Sequence, residues 1–356
     1  MHHVKRRDFI ALLGSAATVW PLAVPAQQPV ANMPVVTLVN ARRADAAIAF
    51  IAEFRKGLSQ TGLTEGRDLA VEYHWMDGHY EELPAIISDA VRRHVAVIAT
   101  PASTPGSLGA KAATSAIPIV FGVGEDPVAL GLVASLAQPG GNATGINFFA
   151  SEIDSKRLGL MHELLPKARR LAVLVNHANP ITAEATTRAL NDAAPGLGLQ
   201  LIFFNASTAA EIDAAFAAFA DARAEALFIA PDGFFASRHL QMATLATRGR
   251  IPASDFTKDS VGDGLLMSYG TSIADVFRQV GVYVGSILKG AKPADLPVLQ
   301  ATKFEFTINL PAHGRLASMS RHLSWRVPTR LSNSSILLPC TLSPTGHFSD
   351  MTRCPR

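Results

Sequence analysis

The chain has 356 residues, 48% of them hydrophobic and 17% charged, with 32 basic against 29 acidic side chains. The basic excess sits at the two ends: without Lys5, Arg6, Arg7, Asp8 and everything from Pro311 onward, 23 basic residues face 27 acidic ones. A mildly acidic body argues against a nucleic-acid footprint, which needs Lys and Arg clustered on one face, and with Cys340 and Cys354 both in the tail the body can form neither a disulfide nor a cysteine metal site.

The first 26 residues read as an export leader. Lys5-Arg6-Arg7 is a positive start, Ile10 to Leu22 a short apolar stretch, and Val24-Pro25-Ala26 offers small residues before a cut that leaves Gln27 first. Arg6-Arg7 followed by Asp8, Phe9 and Ile10 is similar to a twin-arginine signal. An apolar run of about 13 residues falls short of the roughly 20 that cross a hydrocarbon core, and the leader has no cysteine for a lipid. The expectation is a periplasmic protein, exported with cleavage after Ala26 and not membrane-anchored.

Val35 to Val39 is a β-branched apolar run ending at Asn40, as in a buried parallel strand. Ala47, Ile51, Phe54 and Leu58 then recur on one helical face. Strand Leu69 to Tyr73, helix Glu81 to Arg93, strand Val95 to Ala99, helix Ser107 to Thr114 and strand Ile117 to Phe121 follow. After the turn Pro139-Gly140-Gly141-Asn142 the alternation begins again. It runs through helix Ser155 to Leu165, strand Leu171 to Val175, helix Thr182 to Ala194, strand Leu199 to Phe203, helix Ala209 to Ala220, strand Ala226 to Ala230, helix Ala236 to Arg248 and strand Ile251 to Ala253. Gly262 to Gly270 reads as extended and Ile273 to Leu288 as a last helix. Strands alternating with helices mean parallel sheets, so two successive sets predict an α/β fold of two doubly wound, Rossmann-like lobes.

Ligands of open parallel sheets bind beyond the carboxyl ends of the strands, which selects the loops to read. Thr100, Ser103 and Thr104 open a helix there and suit an anion, or serve as caps alone. Asn40, Asn176 and Asn179 can hydrogen-bond a zwitterion or shape turns, Asp126 and Asp232 can meet an amine or form Asx turns, and Tyr269 can wall a pocket or fill the core. Catalytic signals are poor: Met161-His162-Glu163 lacks a second zinc histidine, Gly122-Val123-Gly124 lacks the third dinucleotide glycine, and there is no phosphate loop or nucleophile elbow. His74 and His79 read as surface residues. No enzyme activity, cofactor or metal is expected.

Phe54 to Gly57 with Gly66, Asp126-Pro127-Val128 through Gly131-Leu132-Val133, and Pro139 to Gly145 carry a resemblance, continued in Leu266 to Gly270 and Ile287 to Pro297. From Lys5 to Leu310 the chain resembles the ABC-transporter substrate-binding family of tryptophan/tyrosine type. That implies a type I periplasmic-binding-protein architecture: two lobes joined by a multi-strand hinge, ligand in the cleft, and a permease and an ATPase as partners. The lobes would comprise residues 27–147 with 270–302, and 148–269 with 303–310. Two positions depart from the family pattern, Asn176-His177 where Asn-Pro is common and Ser254-Asp255 where an aromatic is frequent. The expected function is capture of a small organic solute, such as an amino acid or related carboxylate, by lobe closure for an ABC uptake system; the alternative is a ligand-sensing module for a membrane receptor. Residues 311–356 are Arg-, Ser- and Pro-rich, with no lysine or glutamate. They read as an aberrant, poorly ordered tail, out of frame or else an evolved extension.

Overall fold

The computed structural model describes residues 33–309 and 336–338. The leader lies outside the described residues, as does the tail apart from those three positions.

The strands in chain order are β1 (Val35–Asn40), β2 (Ala70–Trp75), β3 (Val97–Thr100), β4 (Ile119–Val123), β5 (Ala143–Asn147), β6 (Arg170–Val175), β7 (Gln200–Asn205), β8 (Ala226–Ile229), β9 (Ala253–Asp255), β10 (Met267–Thr271), β11 (Leu299–Gln300), β12 (Phe304–Ile308) and β13 (Ile336–Leu338). The α-helices are α1 (Ala44–Gln60), α2 (Leu83–Arg92), α3 (Thr104–Ala113), α4 (Ala150–Leu164), α5 (Pro180–Ala193), α6 (Ala209–Asp221), α7 (Gly233–Ala236), α8 (His239–Gly249), α9 (Asp259–Gly262) and α10 (Ile273–Leu288).

One sheet has the order β11-β5-β4-β3-β1-β2 and is parallel throughout. The other has the order β13-β12-β10-β9-β8-β6-β7, parallel except where β12 pairs antiparallel with β10 and β13. Successive strand residues point to opposite faces, and each sheet is therefore covered on both. In the first lobe, Ile51, Phe54 and Leu58 of α1 and Val276, Phe277 and Val280 of α10 cover Val36, Leu38 and Val97. On the opposite face, Leu83 and Ile87 of α2 and Ala110 of α3 cover Val39, Ile98 and Phe121. In the second lobe α4 and α5 cover Val173, Phe228 and Met267, while α6 and α8 cover Leu174, Leu227 and Ile229. These are the two doubly wound lobes of the sequence reading.

The chain passes between the sheets three times: from β5 into α4 through Phe148 and Phe149, from β10 into α10 through Ser272, and from β11 into β12. The crossings are tied to one another. Thr271 Oγ1 donates to the Phe148 carbonyl at 2.9 Å, Ser272 N donates to the Lys303 carbonyl at 2.9 Å, and Ala301 N to the Asn147 carbonyl at 2.9 Å. Such a joint is a hinge of three chain segments.

Periodicity locates the last long helix at the residues the structure assigns to it, but misses β5, β11 and β12. β5 reads Ala-Thr-Gly-Ile-Asn, too short and too poor in branched apolar residues to stand out from the glycine-rich turn before it. It is a strand because β4 and β11 flank it and every one of its residues is buried. The region read as extended from Gly262 holds the end of α9 and then β10.

Candidate functional site

Each sheet has a place where the strand order reverses, between β1 and β3 in the first lobe and between β6 and β8 in the second. The crevice beyond the carboxyl ends at such a switch point is where open α/β sheets hold ligands. Here the two switch points face each other across one cleft. Its lining comes from Ala41 and Arg42 after β1, Ala102 to Pro105 after β3, Gly124 and Glu125 after β4, Asn179 and Thr182 after β6, and Pro231 to Gly233 after β8, with Tyr80, Phe148, Ala150, Phe256 and Ile273 around them. The empty volume is about 500 Å³, part of it open solvent.

The charges are unevenly matched. Asp232 is saturated: its carboxylate accepts from Asn176 Nδ2 at 2.9 Å, Asn179 Nδ2 at 2.9 Å, the Tyr80 hydroxyl at 3.0 Å and the Phe234 backbone N–H at 2.8 Å. Burial, and then the charge of Asp232, push the Tyr80 phenol far above its ordinary range, so it stays a donor. Glu125 is 9% exposed and accepts from two hydroxyls, Thr104 at 2.6 Å and Thr182 at 2.7 Å. It has no cation at ion-pair distance among the described residues.

Arg42 is the counterpart. Its side chain is 2% exposed, lies with its guanidinium 4.8 Å from the centre of the Phe50 ring, and forms no ion pair or side-chain hydrogen bond among the described residues. Burial pushes its pKa down to about 10, against the pull of Asp232, Asp259 and Asp255 at longer range. A buried guanidinium without an acceptor carries a desolvation cost that an incoming anion removes. The Asn179 amide oxygen, in a residue 6% exposed, likewise has no donor. The cleft therefore presents an unmatched cation, a carboxylate held only by hydroxyls and an unmatched acceptor, beside the apolar surfaces of Phe148, Phe256, Ala150 and Ile273.

Of the nine residues singled out in the sequence, Ser103, Thr104, Asn179 and Asp232 line this cleft. Ser103 also caps α3, accepting from Gly106 N at 3.3 Å, and Thr104 spends its hydroxyl on Glu125. The other five do not line it. Asn40 is internal, its amide nitrogen bound to the Pro101 carbonyl and its oxygen to Arg42 N. Thr100 shares a buried hydroxyl contact of 2.9 Å with Ser107. Asp126 is exposed and closes an Asx turn on Val128 N at 2.8 Å. Asn176 sits behind Asp232 and turns its own loop through Ala178 N at 3.0 Å. Tyr269 is core, between Phe304 and Phe306.

Sequence reading passed over Arg42, Tyr80, Glu125, Thr182 and Phe256. Two signals were within reach. Asp126 precedes Pro127 and is used up by the turn, leaving Glu125 at the strand end, and Arg42 stands in the loop that Asn40 had already marked. Tyr80 and Phe256 had no local signal. Among the described residues no His, Cys, Asp or Glu group is arranged to hold a metal, and no helix is long and apolar enough to cross a membrane.

A family model described as ABC transporter substrate binding protein matches residues 35–319, a few residues beyond Leu310, where the resemblance read from the sequence stops. A tyrosine-binding protein of Clostridioides difficile is 27% identical over 256 residues, 72% of this chain and 73% of that one. A crystal structure of a conserved domain protein from Vibrio cholerae is 27% identical, with a TM-score of 0.72, covering 80% of this chain and 95% of that chain. The crystal structure of an ABC domain in complex with L-Trp from Streptococcus pneumoniae shares the fold, with a TM-score of 0.70 at 20% identity, over 80% of this chain and 94% of that one.

Proposed function

The chain belongs to the ABC transporter substrate-binding protein family, and from that premise we propose that it captures a zwitterionic amino acid with an apolar or aromatic side chain between its lobes. The observation that carries this reading is Arg42, a buried cation facing the cleft with no acceptor. A ligand carboxylate supplies that acceptor. Its ammonium meets Glu125 and the free oxygen of Asn179, and its side chain lies against Phe148 and Phe256. Opposite charges on one small ligand thus answer the opposite charges that the first lobe presents to the cleft. The tyrosine-binding relative supports the same class.

Arg42 and Glu125 belong to the first lobe, Asn179 and Thr182 to the second, so a ligand touching all of them favours the closed arrangement by differential contact. Delivery to a permease with its ATPase, and export through the leader at residues 1–26, complete the proposal on family grounds.

Calorimetric titration of the exported chain with the common L-amino acids tests it. We expect affinity in the micromolar range or better for at least one aromatic or large aliphatic amino acid, with binding lost for its N-acetyl derivative and for its amide. Arg42→Met, which retains most of the apolar stem, should weaken binding roughly 10- to 150-fold, the worth of a hydrogen bond to a charged group. Unaltered affinity in that variant, or indifference to the N-acetyl group, would overturn the reading.

A further inference from the structure

Outside the ligand cleft the lobes meet through a second set of contacts, and these are concentrated on two short turns. In the first lobe the turn after β2 is locked to its own lobe: Met76 N donates to the Asn40 carbonyl at 3.0 Å and Gly78 N to the Ala41 carbonyl at 3.1 Å. From that base it reaches across. The Asp77 carboxylate accepts from Arg238 Nη1 at 2.7 Å, and Gly78 abuts the Phe234 ring so closely that a Cβ would stand 2.8 Å from Cδ2. Nearby, Arg43 N donates to Ser237 Oγ at 2.9 Å. All the receiving residues lie on α7 and the turn after it.

Arg238 is also held by contacts within its own lobe. Its guanidinium stacks on Phe234 at 3.8 Å and donates to the Phe234 carbonyl at 3.3 Å. A stacked, partly bonded guanidinium loses little further freedom when a carboxylate arrives. Neither Asp77 nor Arg238 lines the ligand cleft.

We infer that Asp77 and Arg238 are positioning residues that latch the two lobes together and thereby set ligand affinity without touching the ligand. The inference rests on the reading that ligand is held between closed lobes. Apparent affinity equals intrinsic affinity scaled by the fraction of molecules in the binding-competent form, so a latch that raises the closed fraction tightens binding at a distance. The pair is partly exposed, at 33% for the Asp77 side chain and 14% for that of Arg238, and salt therefore weakens it. For a net-neutral ligand, part of the salt dependence of binding should come from this pair.

Small-angle scattering of the ligand-free full chain, together with calorimetry, decides it. Asp77→Asn and Arg238→Gln should each increase the radius of gyration of the ligand-free protein and raise the dissociation constant roughly two- to fivefold. The double variant should be no worse than the weaker single one, and all three should lose much of the parent's salt dependence. Gly78→Ala, with its φ of +86° and its contact on Phe234, should hold the lobes apart by another route and expand the ligand-free form in the same way. Variants that keep the parent's radius and affinity, or a double variant that loses the sum of the two singles, would overturn the latch. If the parent binds no amino acid, the scattering of the ligand-free variants still decides the latch, and the failure belongs to the proposed ligand class.

Discussion

At the scale of single residues, an offset of one or two positions separates a structural polar group from one that lines the cleft. Asn40 and Asp126 organise loops, while their neighbours Arg42 and Glu125 turn inward. A second buried charge has a different consequence. Asp154 and Arg157, both fully buried, pair at 3.1 Å between β8 and α5, with Arg157 also donating to the Ile229 carbonyl and Thr186 donating to Asp154. Burial pushes the Asp154 carboxyl up to about 6, against the pull of Arg157. A raised carboxyl binds its proton in the folded state while the unfolded chain has already released it. Its contribution to stability is therefore complete below about pH 4, the ordinary carboxylate value, and is lost as pH rises through about 6. Asp154→Asn cannot titrate, so its melting temperature should fall less than the parent's between pH 4 and pH 7. Asp255, raised in the same direction by burial, keeps some slope in the variant. Parallel melting curves across that window would count against this account.

At the scale of elements, α1 and α10 show why two helices distant in sequence form one layer. A Cβ on Gly57 would fall 1.9 Å from the Arg278 carbonyl oxygen, and one on Gly281 would fall 2.2 Å from that of Phe54. The helices cross backbone to backbone at these two glycines, which brings Phe54 and Leu58 onto the same strands as Val280 and Val284. Gly57→Ala should force the helices apart and cost about 3 kcal/mol in denaturant unfolding, the upper end of overpacking penalties because backbone rather than a side chain must move. A change below about 0.5 kcal/mol, the scatter of neutral surface substitutions, would show that the crossing yields. The amphipathic stripe of α1 was legible in the sequence, because Ala47, Ile51, Phe54 and Leu58 recur at helical spacing. Its partner was not, since periodicity marks a buried face without saying what buries it. β13 illustrates the same limit from the tail: Ile336, Leu337 and Leu338 pair with Ile308, Thr307 and Phe306 of β12, a contact that an isolated apolar triplet does not announce.

At the scale of the whole molecule, a ligand that touches both lobes binds the folded state alone and raises apparent stability by mass action. At a ligand concentration 100 times the dissociation constant the gain is about 2.7 kcal/mol. Thermal unfolding with the amino acid found by calorimetry should rise accordingly in the parent. In Arg42→Met it should rise much less, and no upward shift in the parent at that saturation would contradict capture between the lobes. The sequence by itself determined the two α/β lobes, because alternating strand and helix periods follow from local burial and each set repeats the pattern. It also pointed to loops that line the cleft, since strand carboxyl ends are where open sheets hold ligands. What tertiary structure alone decided is which side chains of those loops face the cleft, and which segments form the hinge and touch across it. Tyr80 reaches Asp232 across 152 positions of sequence and Arg238 reaches Asp77 across 161. Contacts of that span depend on how two sheets are set against each other by three crossing strands, a long-range geometry on which the spacing of neighbouring residues carries no information.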